Sequence, residues 1–199
     1  ADENTELIVD NKLLHELKTG DLLLFNYNSS GIFGWFTKMI KWGTHSNYSH
    51  IAMVLKNPTF LDKKLEGLYI WESSWEENPD PQDGKCKLGV QITPIQEVLD
   101  AYKNGQVYVR KINTWEHNPF SDYNLKKIHD VVYEKPYDIC PVDWVEAFLK
   151  KDFNPQKTSR FFCSALVGYI YTKCDVLISY TDWSILTPND FSLSGETVR

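Results

Sequence analysis

The chain has 199 residues, of which 42% are hydrophobic and 14% aromatic, and it carries a formal net charge of -6. That length and apolar content suffice for a sizeable core, so a single folded domain spanning 1–199 is expected. The acidic balance excludes a nucleic-acid binder, which needs clustered Lys and Arg against phosphate; Lys63-Lys64, Lys126-Lys127 and Lys150-Lys151 read as solvated faces.

The N-terminal stretch "ADENTELIVD" lacks the basic and apolar regions of a leader, although an Ala start leaves a removed leader open. In "LKTGDLLLFNY" a polar turn at Thr19-Gly20-Asp21 precedes a strand over Leu22–Phe25. "GIFGWFTKMIKW" follows, with apolar residues covering most of a helix circumference. Such a helix is usually buried. The competing reading is that Phe33, Trp35 and Phe36 line an acyl-chain groove or make peripheral contact with a lipid surface.

A second strand, "SHIAMVLKNP", is apolar on both faces and stops at Asn57-Pro58; "GLYIWESSW" is a third and "GQVYVRKI" a further one. Helical periodicity appears in "IQEVLDAYK", "SDYNLKKIHDVVYEK" and "TSRFFCSALVGYIYTKC". Strands concentrated in the first half, with longer helices flanking them, predict an α+β domain with an antiparallel sheet packed against helices. The Pro-, Asp- and Gly-rich stretch between Glu76 and Lys87 reads as a surface loop, with a lid as the alternative. No run reaches the ~20 apolar residues that cross a bilayer, and the chain is expected to be soluble.

Alternation places His50, Ala52 and Val54 on one face of their strand, and Leu68, Ile70 and Glu72 on one face of the next. A carboxylate on an inward face needs a partner. If the two strands form a hairpin across Lys56 to Gly67, His50 and Glu72 become neighbours, and a one-residue slip in register decides whether they share a face. A His held by a carboxylate is the base-and-orienter half of a nucleophilic site.

Cys163 is the candidate nucleophile, near the start of its helix after the capping candidates Thr158 and Ser159, where the dipole and unpaired amides favour a thiolate. Those amides are also candidates for an oxyanion site. Cys163 equally begins an apolar stripe through Leu166, Val167, Ile170 and Tyr171, which would make it core. Cys174 lies about 16 Å along the helix, too far to resolve a Cys163 disulfide. Cys174, Cys86 and Cys140 read as core unless exposed, and reduced thiols in an intracellular setting are expected. Among the other histidines His45 is the nearest competitor to His50, whereas His15, His117 and His129 rank lower. No ligand spacing for a metal is found.

The combination "YSHIAMVL", "YIWESS", "KPYD" and "FFCSALV", in that order, resembles the circularly permuted NlpC-like papain-fold family. The similarity is greatest to its YiiX-like branch, which includes poxvirus and other viral members and is related to lecithin:retinol acyltransferase-like proteins. It spans roughly Leu17 to Phe191, with "VQITPIQEVL" similar to the strand and helix after the carboxylate and "LTPNDF" to the closing segment. The resemblance implies a permuted papain-like fold with Cys163 as nucleophile, His50 as general base and acid, Glu72 as the residue orienting His50, and Tyr137 beside the nucleophile as a substrate or oxyanion contact. Where many relatives have C-S-E-L-V, this chain has Ala165.

The function implied is a cysteine hydrolase or acyltransferase acting on an amide or ester through a thioester acyl-enzyme, without metal or cofactor. The substrate class is a small molecule, a peptide or a lipid acyl group, and the aromatic density from Phe33 to Trp42 favours an apolar one. The expected setting is cytoplasmic, or virion-associated for a viral member. A non-catalytic lipid- or protein-binding module retaining the fold is the competing class, and a cell-wall peptidase a third.

Overall fold

The computed structural model describes residues 6–7, 11–26, 47–75, 78–102, 106–113, 118–137, 162–193 and 195. Its centre is a six-stranded antiparallel sheet of β1 (Glu6–Leu7), β2 (Leu22–Asn26), β3 (His50–Lys56), β4 (Leu68–Trp75), β5 (Leu88–Pro94) and β6 (Gln106–Arg110), in the order β1-β6-β2-β3-β4-β5. Four α-helices accompany it among the described residues: α1 (Asn11–Glu16), α2 (Ile95–Ala101), α3 (Asp122–Val132) and α4 (Cys163–Lys173). The expected α+β class with an antiparallel sheet is therefore observed.

Period-2 alternation accounts for two cores, one on each face of the sheet. Leu22, Leu24, Ile51, Met53, Trp71 and Ile92 pack under α3 and α4. Leu23, Phe25, Ala52, Val54, Ile70 and Val109 meet Leu13 and Leu17 on one side and Ile95 and Val98 of α2 on the other. Coverage of both faces explains why β3 reads as a continuous apolar run rather than an alternating one.

The turn into β2 has a steric cause. Gly20 has φ +101°, and a Cβ there would lie 2.1 Å from the Phe120 ring. Asp21, buried in that turn, accepts from the N–H of Lys18 (2.8 Å) and of Ile112 (3.0 Å), linking the turn to the end of β6.

Helix α4 is buried on all sides from Cys163 to Thr172, rather than along one stripe. Its far side is covered by two short 3₁₀ turns, Trp183–Ile185 and Pro188–Phe191. The Ser164 hydroxyl donates to Leu186 C=O at 2.7 Å, and Arg110 Nη1 donates to the carbonyls of Phe191 (2.7 Å) and Ser192 (2.6 Å). The closing segment is thus tied both to the cysteine helix and to the sheet.

Strand β5 lies at the edge of the sheet, and its outer rim is occupied. Val90 N–H donates to Lys135 C=O (2.9 Å), Tyr137 N–H donates to Leu88 C=O (3.1 Å), and Ile92 N–H donates to the buried Asp80 carboxylate (3.2 Å). Such cover removes a template for edge-to-edge association. Gly89, with φ +149°, permits it: a Cβ there would stand 2.3 Å from Lys135 O and 2.8 Å from Pro136 Cα. Gly89→Ala is expected to destabilise the fold by about 2–4 kcal/mol through strain and overpacking against backbone. Urea unfolding checks this; an unchanged midpoint would show that position 89 accommodates a Cβ against the 135–137 backbone without strain.

Candidate active site

His50 and Glu72 are brought together by strand register. The β3–β4 ladder sets Met53 opposite Trp71 and Val54 opposite Ile70, and the turn that fixes it is closed by Asn57 N–H to Gly67 C=O (2.8 Å) and Gly67 N–H to Asn57 Oδ1 (2.7 Å). Continued to the end of the hairpin, this register places Ala52 opposite Glu72 and His50 diagonally from it on the same face. His50 Nε2 lies 2.7 Å from Glu72 Oε2. Glu72 is wholly buried, and its other oxygen, Oε1, accepts from the Thr93 hydroxyl at 2.6 Å. Both oxygens of a desolvated carboxylate are therefore satisfied, as burial of a charge demands.

Cys163 arrives from the other layer. It is the first residue of α4 and packs with Ile51 and Met53, on the face opposite to the one that His50 shares with Phe25. His50 begins β3, so its ring stands at the rim of the sheet, where side chains from both layers can meet. There the Cys163 side chain lies close enough to raise the His50 pKa.

The helix start differs in detail from expectation. The N-cap position is Phe162, in extended conformation and without a side-chain cap, whereas Thr158 and Ser159 lie outside the described residues. The first helical bond runs from Leu166 N–H to Phe162 C=O at 3.1 Å. The amides of Cys163, Ser164 and Ala165 precede it and have no partner within the helix. Ala165 is buried in the same core as Leu166, which explains why an apolar residue suits the position.

Electrostatics follow the geometry. The His50 side chain is 12% exposed, and burial alone would push its pKa down. The hydrogen bonds to Cys163 and Glu72, reinforced by their charges, outweigh burial and lift it from 6.5 to about 10. An imidazole so placed carries a proton readily at neutral pH, between a sulfur and a carboxylate.

The remaining candidates separate. Tyr137 is placed by its backbone on the outer edge of β5, at the same end of the sheet as His50, and is half-buried. Phe33, Trp35, Phe36, His45, His117 and Cys140 lie outside the described residues. Cys174 is buried and its thiol is pushed up to about 12 by burial, then by the Asp175 charge. Cys86 is exposed rather than core. His15 is exposed on α1. His129 is half-buried in α3, stacked on Tyr133 and bonded through Nε2 to Gln82 Oε1 at 2.7 Å, with its pKa lowered by burial and by Lys126.

The loop considered as a lid is pinned over residues 78–87. Lys87 Nζ bridges Asp80 (2.9 Å) and Asp83 (2.6 Å), Gln82 joins Asp80 to His129, and the Tyr133 hydroxyl donates to Asp83 at 2.8 Å. These contacts hold it against α3.

Thr93 and Ser164 are the residues that sequence reasoning passed over. Thr93 stood in "VQITPIQEVL" as an ordinary strand residue, and the only available signal was its place two residues from the position opposite Glu72. Among the described residues no helix is long and apolar enough to cross a membrane, and no group of three or more His, Cys, Asp or Glu is placed to hold a metal ion. No protein-family model matches the chain, and no curated protein matches it.

Proposed function

We propose that the chain is a papain-like thiol hydrolase or acyltransferase with the permuted NlpC-like arrangement, acting on an amide or ester. The observation that supports it most is the hydrogen bond from His50 to the wholly buried Glu72, with Cys163 at the start of α4 close enough to raise the His50 pKa. In this reading Cys163 gives its proton to His50 and the thiolate attacks the acyl carbonyl. The sulfur–carbon bond forms, and the tetrahedral oxyanion is held by the first amides of α4. His50 returns the proton to the leaving amine or alcohol as the carbonyl re-forms, which leaves a thioester on Cys163. Water or an acceptor hydroxyl or amine, deprotonated by His50, then releases the acyl group. Tyr137 is the proposed substrate or oxyanion contact, and the aromatic composition from Phe33 to Trp42 supports an apolar acyl chain as substrate.

The second reading is a non-catalytic lipid- or protein-binding module. It is favoured by the burial of Cys163, which is 3% exposed, because a nucleophile must meet its substrate. Exposure of the protein to activated esters of graded acyl length and to short peptide esters, followed by intact-mass and peptide mass spectrometry, separates the two. The expected result is an acyl adduct on Cys163, formed fastest with the longer chains and absent from Cys163→Ala. No adduct on Cys163 in folded protein would favour the binding module, and adducts from short peptide esters alone would remove the lipid-acyl preference.

A further inference from the structure

We propose that Thr93 is a positioning residue of this site, its hydroxyl holding the Glu72 carboxylate in the orientation that faces His50. The inference rests on the reading of Cys163, His50 and Glu72 as one unit, and it extends that unit by a member on a third strand.

The sheet brackets Glu72 between two diagonal neighbours. Glu72 stands opposite Gln91 on β5, and Thr93 stands opposite Ile70. His50 lies toward the rim of the sheet on β3, and Thr93 lies on β5 in the other direction, deeper in the sheet and 3% exposed. The two carboxylate oxygens are divided between them: Oε2 to His50 Nε2 at 2.7 Å, Oε1 to Thr93 Oγ1 at 2.6 Å.

The residue directly opposite cannot take this role. The Gln91 amide nitrogen is directed at the carbonyls of Ser74 (2.8 Å), Lys87 (3.3 Å) and Gly89 (3.4 Å), which fixes that end of the side chain as NH₂ and commits it away from Glu72. Thr93 is the donor that remains for Oε1.

Two physical properties suit threonine to the task. The terminal torsion of a Glu is broad and roughly two-fold, so one hydrogen bond leaves the carboxylate plane free to turn, whereas a donor on each oxygen sets it. A β-branched side chain in a strand is stiff at χ1, so the hydroxyl is itself held in place. Thr93 lies too deep to touch a substrate at the rim and acts only through Glu72. Among the described residues, His50 is the titratable group bonded to Glu72, and Cys163 lies beyond it.

The test compares the intact protein with Thr93→Val, which keeps the branched shape without the hydroxyl, and Thr93→Ser, which keeps the hydroxyl. His50 is followed by NMR of its imidazole protons against pH, and Cys163 by its rate of acylation with an activated ester. In Thr93→Val the His50 midpoint is expected to fall toward 6.5 by about one unit or more as its counter-charge turns away, and acylation to slow about 10-fold without a change in KM. Thr93→Ser is expected to restore both. If Val prevents folding, Thr93→Ala against Thr93→Ser makes the same comparison. An unmoved His50 midpoint in a folded Thr93→Val protein whose Cys163 still acylates would overturn this assignment alone. A lowered midpoint in a protein whose Cys163 never acylates, even intact, would remove the enzymatic reading and leave Thr93 as the residue that orients Glu72.

Discussion

In His50→Ala, iodoacetamide is expected to alkylate Cys163 at pH 7 about 10²-fold more slowly than in the intact protein, the low end of what a positioned base contributes. The reason is the partner that sulfur loses. In the proposed mechanism the imidazole beside the Cys163 side chain takes up the thiol proton as sulfur attacks, and the variant has no such base. The amides at the start of α4 remain in the variant and preserve part of the effect. Two other cysteines calibrate the measurement by residue-resolved mass spectrometry. Cys86 is exposed and should label equally in both proteins, whereas Cys174, buried and with its pKa pushed up to about 12, should label in neither. Slow labelling of Cys163 that is indifferent to His50 would show an inactive or closed site and move the reading to a binding module.

Glu72→Gln is expected to lower turnover by about 10²-fold or more, up to the roughly 10⁴-fold loss seen when the orienting carboxylate of a nucleophile–His pair becomes an amide. The amide fits the same space but carries no charge, and its NH₂ can meet His50 Nε2 only if the ring switches tautomer. The acyl-enzyme assay measures this, and activity within a few-fold of the intact protein would exclude Glu72 from the mechanism. A second consequence concerns stability. The folded state raises His50 from 6.5 to about 10, so protonated His50 stabilises the fold fully below pH 6.5, and this contribution is lost as pH rises through the folded midpoint. Cys163→Ala proteins with Glu72 or Gln at position 72 isolate the imidazole. Without the Cys163 contribution the midpoint is lower, yet the sign is unchanged: the Glu form is favoured most near pH 6, and its advantage declines toward alkaline pH, where its buried charge loses the imidazolium. Denaturant unfolding across this range tests the sign, and an advantage that grows with pH would contradict it.

A pairing so consequential was partly visible in one dimension. Strand β3 was legible because seven residues from His50 to Lys56 are largely apolar and end at Asn57-Pro58. The shared face of Ile70 and Glu72 followed from period 2. The register between the strands was not legible, because it depends on where Asn57 meets Gly67, and a slip of one residue would have sent Glu72 to the α4 side. The helix of Cys163 was legible in extent but not in burial. Its apolar stripe described the side toward the sheet, whereas the opposite side is covered by the segment around Trp183 and Leu186, which no local pattern assigns to it.

The sequence by itself determined the α+β class, the strands and helices that carry the site, and the residue types able to form a thiol, imidazole and carboxylate relay. These follow from hydrophobic period, turn chemistry and side-chain pKa, all of which are local. Tertiary structure alone decided that Cys163 and His50 meet although they come from opposite layers, that Glu72 is wholly buried, and that Thr93 supplies its second donor. The physical reason is that a hydrogen bond between strands is set by register, and a contact around the rim of a sheet by how two layers stack; neither leaves a periodicity in the chain.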